Sequence, residues 1–204
     1  MKVRISSGST GALYAQIVNG APYDVFLAAD ARRPQLLDEE ALALSGSRTS
    51  YATGSLVLWS ADSALANKSC IAVLKSGAYR RIAIANPNTA PYGLAAEEFL
   101  KAIGVFEATR GRTVYGENIG QTLQFVASGN ATLGLIAASQ VAEGLPEPGS
   151  CSWNVPLELH SAIDQQAVVI RRSGNLAAAQ HFMAFLRSPQ VAVILRRRGY
   201  GLPQ

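Results

Sequence analysis

The sequence predicts an α/β protein, and three observations lead there. Short apolar runs of strand length alternate with stretches whose apolar residues repeat at helical spacing. Tight polar or glycine-bearing loops open helical stretches, most clearly Gly8-Ser9-Thr10-Gly11, Ala90-Pro91-Tyr92-Gly93 and Gly116-Glu117-Asn118-Ile119-Gly120-Gln121-Thr122. The 204 residues are 49% hydrophobic and only 16% charged. Such a chain can bury a core as one domain or two small lobes, which excludes a disordered polymer or polyelectrolyte.

Residues 3–6 read as a short strand and 11–18 as a helix closed near Gly20. Residues 24–28 form an apolar strand, followed by a helix over 33–40. Residues 55–60 make another strand, 71–76 continue the apolar pattern, and 81–85 are a further short strand. A helix then begins with Pro91 in its first turn, where the missing N–H is not needed. It carries Leu94, Phe99, Leu100 and Ile103 on one stripe and stops at Gly104. Residues 113–115 form a strand, 116–118 feed a helix ending at Gly129, and 133–137 form a strand feeding a further helix. Residues 144–152 hold proline and glycine and read as an irregular connection. The last strand is 166–170, and two helices close the chain, capped by Asn175 and by Ser188 with Pro189, the second ended by Gly199. Strands alternating with helices predict mostly parallel sheets.

A helix start exposes unpaired N–H groups and the positive end of the helix dipole. Three such starts beyond the carboxyl ends of strands point to a pocket converging on an anion. Each loop has a plainer alternative: Gly8 to Gly11 as a turn, Asn118 as a helix cap, and Tyr92 as a half-buried staple rather than a hydroxyl in a cleft.

Other chemistries find little support. His160 and His181 lack neighbours at metal-ligand spacing, and Glu97 and Glu98 point in different directions. There is no phosphate-binding loop, dinucleotide fingerprint or Ser/His/Asp order, so no catalytic constellation is present. Arg196-Arg197-Arg198 has a helix-dipole rationale, and the net charge of +4 does not argue for nucleic acid. Cys70 and Cys151 lack metal-site spacing and are either two buried thiols or one disulfide. No apolar run reaches membrane-spanning length, which predicts no membrane insertion, and Met1-Lys2-Val3-Arg4 leads into a polar loop without a secretory signal.

Together the blocks resemble the molybdate-binding proteins of ABC transporters, the ModA family. Gly8-Ser9-Thr10-Gly11 precedes Tyr14-Ala15-Gln16-Ile17 and Asn19-Gly20-Ala21-Pro22-Tyr23-Asp24-Val25-Phe26-Leu27-Ala28-Ala29-Asp30. Ser55-Leu56-Val57-Leu58-Trp59, Asn86-Pro87, Ala90-Pro91-Tyr92-Gly93, Gly116-Glu117-Asn118-Ile119-Gly120-Gln121, Ala127-Ser128-Gly129-Asn130-Ala131 and Gly199-Tyr200 follow in order. The resemblance covers nearly the whole chain.

It implies a two-lobed periplasmic-binding-protein fold of type II, with crossings near 58–60 and 165–168. Lobe I would comprise 1–58 and 166–204, and lobe II 59–165. It further implies a non-enzymatic, monomeric periplasmic component of an importer, without a cofactor, that delivers molybdate or tungstate to a permease. By position, the donors are the Ser9 and Thr10 hydroxyls, the Tyr92 hydroxyl and the Ile119 backbone N–H. Other members take a tyrosine from the strand end at Ala137, which cannot donate here.

A fully ionised tetrahedral dianion has only acceptor oxygens, so neutral donors suit it; hydrogen phosphate would also need an acceptor, and only Glu117 lies near. Alternatives are a binder of sulfate or another oxyanion, and a cytoplasmic oxyanion-sensing module. The family pattern also has a strand, a donor loop and a helix before the segment that opens this chain, about 25–30 residues at usual lengths. Without them the expectation is a truncated first lobe, unstable or completed by a partner, with weakened binding.

Overall fold

The computed structural model describes residues 3–141 and 151–203. A segment without regular secondary structure leads into α1 (Thr10–Val18), β1 (Val25–Ala28), α2 (Arg32–Glu39) and β2 (Thr49–Gly54). Next come β3 (Leu56–Ser60), α3 (Cys70–Ser76), β4 (Ile82–Ala85), α4 (Pro91–Ala102), α5 (Phe106–Thr109), β5 (Thr113–Gly116), α6 (Ile119–Ala127) and β6 (Leu133–Ala137). The described chain ends with β7 (Cys151–Asn154), β8 (Ile163–Val169), α7 (Leu176–Leu186) and α8 (Pro189–Arg197).

Two sheets result, each covered by helices on both faces. The first has the order β1-β8-β2 and is antiparallel throughout. Along β8 successive side chains point to opposite faces. Val168 packs with Phe26, Ile17 and Leu37 beneath α1 and α2, while Ala167 and Val169 meet Ala179, Met183, Leu186 and Val191 of α7 and α8.

The second sheet has the order β5-β4-β6-β3-β7, with β4 parallel to β5 and β6, and β3 antiparallel to β6 and β7. α3 and α4 cover one face, placing Leu74, Phe99 and Leu100 against Leu56, Leu58, Ile82 and Ile84. α6 covers the other, with Val126 against Val57, Trp59, Ala83 and Ile136. α4 sits directly on the end of β4 because residue 93 is glycine: a Cβ there would lie 2.2 Å from the Ala85 carbonyl oxygen. Cys70 and Cys151 form a disulfide, with Cα atoms 5.6 Å apart, that ties the start of α3 to the start of β7.

The chain passes from the first sheet to the second between Gly54 and Leu56, and returns between Asn154 and Ile163. Residues 58–60 and 165–168, where crossings were expected, lie inside β3 and β8.

Several expectations need correction. Residues 3–6 form no strand, and Val3 and Ile5 are 56% and 85% exposed. A strand needs a ladder partner, and among the described residues none lies beside this segment. The sheets are not mostly parallel, because β3 and β8 arrive from the other lobe rather than through a covering helix and so run against their neighbours. Residues 71–76 are helical, within α3, where the Ser69 hydroxyl caps by accepting from the Ala72 N–H. After β6 only the short turn Ala138–Gln140 is present among the described residues. Of the expected connection over 144–152, residues 144–150 lie outside the described residues, and 151–152 open β7 on the edge of β3.

Candidate functional site: donors at three helix starts

Ser9 occupies the N-cap position of α1 but makes no side-chain cap hydrogen bond. Thr10 follows, its Oγ1 accepting from the Ala29 N–H at 3.1 Å, just beyond β1. Both residues are buried. The Gly11 N–H donates to the Thr89 carbonyl at 2.8 Å, so the start of α1 touches the loop before α4 on the other sheet. The Asn86 N–H of that loop donates to the Gly116 carbonyl at 2.8 Å. The loops that open α1, α4 and α6 are therefore joined in series across both lobes.

Tyr92 lies in the first turn of α4, with its ring in the main core of the second lobe and only 5% exposure. Its hydroxyl accepts from Gln165 Nε2 at 3.0 Å, while Gln165 Oε1 accepts from the Tyr51 hydroxyl at 2.9 Å. Ser50 pairs with Gln166 and Ala52 with Gln165, leaving Tyr51 as the extra residue of a β-bulge, a device that re-aims a side chain. Burial pushes the Tyr92 phenol far above its ordinary value, with Tyr200 and Tyr51 adding to the shift and the Gln165 hydrogen bond opposing it. Tyr92 thus stays a neutral O–H donor at any physiological pH.

Gly54 completes this corner. A Cβ at that position would stand 2.3 Å from the Tyr92 hydroxyl and 2.9 Å from Gln165 Nε2.

Ile119 is the first residue of α6, so its N–H is among those with no intrahelical acceptor. Asn118 does cap this helix, accepting from the Gln121 N–H at 3.0 Å, and the Ile119 carbonyl is held by Gln140 Nε2 at 3.0 Å. Ala137, at the end of β6, presents only a buried methyl. Glu117 is exposed, and its N–H donates to Gln121 Oε1.

Tyr92 is more deeply buried than a half-buried staple: its ring packs as a core aromatic, and its hydroxyl meets Gln165 from the first lobe. Glu98 accepts from the Ser161 N–H at 2.6 Å and the Ser161 hydroxyl at 3.1 Å, pinning α4 to the returning passage. His160, in that passage, donates from Nδ1 to the Ser161 carbonyl. Sequence reasoning did not identify Gln165, Tyr51 and Gly54 as site residues. The available signals were two adjacent glutamines, after Asp164, in a strand that otherwise carries apolar residues, and a glycine closing a strand.

A cleft of about 510 Å³ runs between the lobes, walled by Gly11, Ala29, Arg33, Thr89, Pro91 and Ser161 among others. The four expected donors are not in its wall; their chain neighbours Gly11 and Pro91 are. Arg33 stands at this cleft in an ion pair with Asp30 at 2.5 Å. Among the described residues no cluster of three or more His, Cys, Asp or Glu could hold a metal ion. No helix among them is long and apolar enough to cross a membrane.

Two α/β lobes, joined by two passages and presenting helix starts to each other, define a two-lobed solute-binding protein rather than an enzyme. The family model for bacterial extracellular solute-binding proteins matches residues 1–201, and the chain belongs to that family. It is 45% identical over 201 residues to the molybdate-binding protein ModA of Azotobacter vinelandii, covering 98% of this chain and 79% of the relative. The ModA of Rhodobacter capsulatus is 43% identical over 198 residues, covering 97% of this chain and 77% of that protein. The solved structure of the Azotobacter vinelandii periplasmic molybdate-binding protein superposes with a TM-score of 0.94 at 42% identity, covering 100% of this chain and 89% of that one.

Proposed function

We propose that the chain captures molybdate or tungstate between its lobes and delivers it to the permease of an ABC importer. The donors in this reading are the hydroxyls of Ser9, Thr10 and Tyr92 and the backbone N–H of Ile119. The observation that carries it is the state of two hydroxyls: Thr10 Oγ1 and Tyr92 Oη each accept a hydrogen bond from a protein N–H. Each is left with its own proton to give, as an all-acceptor dianion requires. Helix starts behind Thr10, Tyr92 and Ile119 add favourable partial charge without a formal cation. The two relatives named as molybdate-binding proteins support the choice of oxyanion.

Lobe closure is the event a permease would read. The Gly11–Thr89 bond and the contact from Arg33 to the Asn88 carbonyl at 3.4 Å would be made and broken in that motion. The disulfide favours an oxidising compartment, hence a periplasmic protein over a cytoplasmic sensor. Each lobe has its own core, in keeping with a monomer.

Thermal melts titrated with molybdate, tungstate, sulfate and phosphate test the reading. At about a hundred times Kd a bound ligand stabilises by about 2.7 kcal/mol. The expected result is a rise in Tm with molybdate or tungstate and none with phosphate. Folded protein that shows no shift in millimolar molybdate overturns the proposal, and a shift with sulfate alone reassigns the anion.

A further inference from the structure

Gln165 joins two tyrosines from different elements. It lies on β8 of the first lobe and is 4% exposed; Tyr51 is on β2 beside it, and Tyr92 is on α4 of the second lobe. An amide has two unlike ends. The Tyr51 proton occupies the oxygen end at 2.9 Å, which turns the nitrogen end to Tyr92 at 3.0 Å. A hydroxyl that accepts from an N–H cannot give its own proton to that nitrogen, and among the described residues no acceptor takes the Tyr92 proton. With the amide reversed, Tyr92 would donate to Gln165 and turn a lone pair toward any anion, a repulsive arrangement.

We propose that Gln165, oriented by Tyr51, is a positioning residue that fixes the Tyr92 hydroxyl as a donor to the oxyanion; this rests on the oxyanion-binding reading above. The bulge at Tyr51 brings the orienting hydroxyl to the amide, and Gly54 leaves the space in which the three polar ends meet. The relay also spans the lobes, so the donor state of Tyr92 is set by the sheet it closes against.

The titratable groups facing Gln165 are Tyr51 and Tyr92, with Tyr200 close to both tyrosines. Asp164 and Arg48 lie on the opposite face of β8, where they bond Gln166. From α7 and α8 this face receives Ala179, Met183, Leu186 and Val191.

The test compares Gln165→Leu, Gln165→Glu and Tyr51→Phe with wild type, using molybdate at micromolar concentration and calorimetric Kd values at about pH 8 and about pH 6. Leucine can neither orient nor donate, so affinity falls about tenfold or more at both pH values. A carboxylate accepts from both tyrosines and withdraws the Tyr92 proton. A protonated carboxyl offers one donor and one acceptor, as the amide does, and burial raises its pKa. Gln165→Glu therefore binds weakly at about pH 8 and recovers toward wild type at about pH 6, a pH profile that a packing role would not produce. Tyr51→Phe frees the amide to reverse and weakens binding several-fold, although Tyr51 is not itself an anion donor.

Binding by Gln165→Leu within about twofold of wild type overturns the relay. So does a Gln165→Glu protein that stays equally weak at both pH values. Should Gln165→Leu fail to fold, the pH recovery of Gln165→Glu decides alone. Wild type that binds none of the oxyanions overturns the parent reading and this one with it, whereas wild-type binding with unaffected variants overturns only the role of Gln165.

Discussion

Gln165 Nε2 donates to the Tyr92 hydroxyl across 3.0 Å, joining a strand of one lobe to a helix of the other through two side chains, each at most 5% exposed. The bond lies close to the passage at Gly54, where the chain changes lobes. Tyr92 then has one free proton in a corner from which water is largely excluded.

Removing that proton has a defined expectation. Tyr92→Phe keeps the ring in its core position, so the protein still folds. Oxyanion binding weakens by about 1–3 kcal/mol, the range for losing a hydrogen bond to a charged group. Calorimetric titration with molybdate checks this, and an unchanged Kd removes Tyr92 from the site.

Gly54 offers a steric test of the same corner. Gly54→Ala would place a methyl carbon 2.3 Å from the Tyr92 hydroxyl, so the phenol must move. The expected result is a loss of oxyanion affinity at least as large as that of Tyr92→Phe, with a smaller fall in Tm than a core truncation causes. Retained wild-type affinity would show that the hydroxyl is not held where binding needs it.

The Cys70–Cys151 disulfide closes a loop of 81 positions within the second lobe. A disulfide typically stabilises by about 2–4 kcal/mol, and loop-closure entropy alone gives about 4.5 kcal/mol for a loop of that length. Melts with and without a strong reductant, or of the Cys70→Ser, Cys151→Ser double variant, should show a clear fall in Tm. No fall would mean that β7 and α3 are held together by packing alone.

Alkaline pH should destabilise the fold. Burial raises the phenols of Tyr51 and Tyr92 above the ordinary value of 10.0, so both are neutral in folded and unfolded protein below that value and their contribution is intact. As pH rises past 10.0, the unfolded chain releases protons that the folded protein keeps, and stability falls. Urea unfolding at about pH 8 and about pH 11 measures the difference, and Tyr51→Phe should reduce it.

Local chemistry is legible in one dimension wherever backbone geometry sets it. Pro91 and Gly104 bound α4, Ser188 caps α8 by accepting from the Val191 N–H, and Asn118 caps α6. These signals concern residues a few positions apart, so α/β character and the three helix starts could be read directly. Ordered blocks such as Ala90-Pro91-Tyr92-Gly93 carried the family resemblance and named Ser9, Thr10, Tyr92 and Ile119 as candidate donors.

What sequence could not supply depends on partners far apart in the chain. Residues 3–6 have strand-forming composition but, among the described residues, no ladder partner, and parallel or antiparallel pairing is decided by which lobe a strand enters from. The Cys70–Cys151 pairing required two Cα atoms 81 positions apart to meet at 5.6 Å. Thr10, Tyr92 and Ile119 each sit at a helix start because of their local sequence. That Gln165, 73 positions from Tyr92, directs its hydroxyl is a property of two lobes in contact, because a hydrogen bond's direction depends on where folding leaves its donor and acceptor.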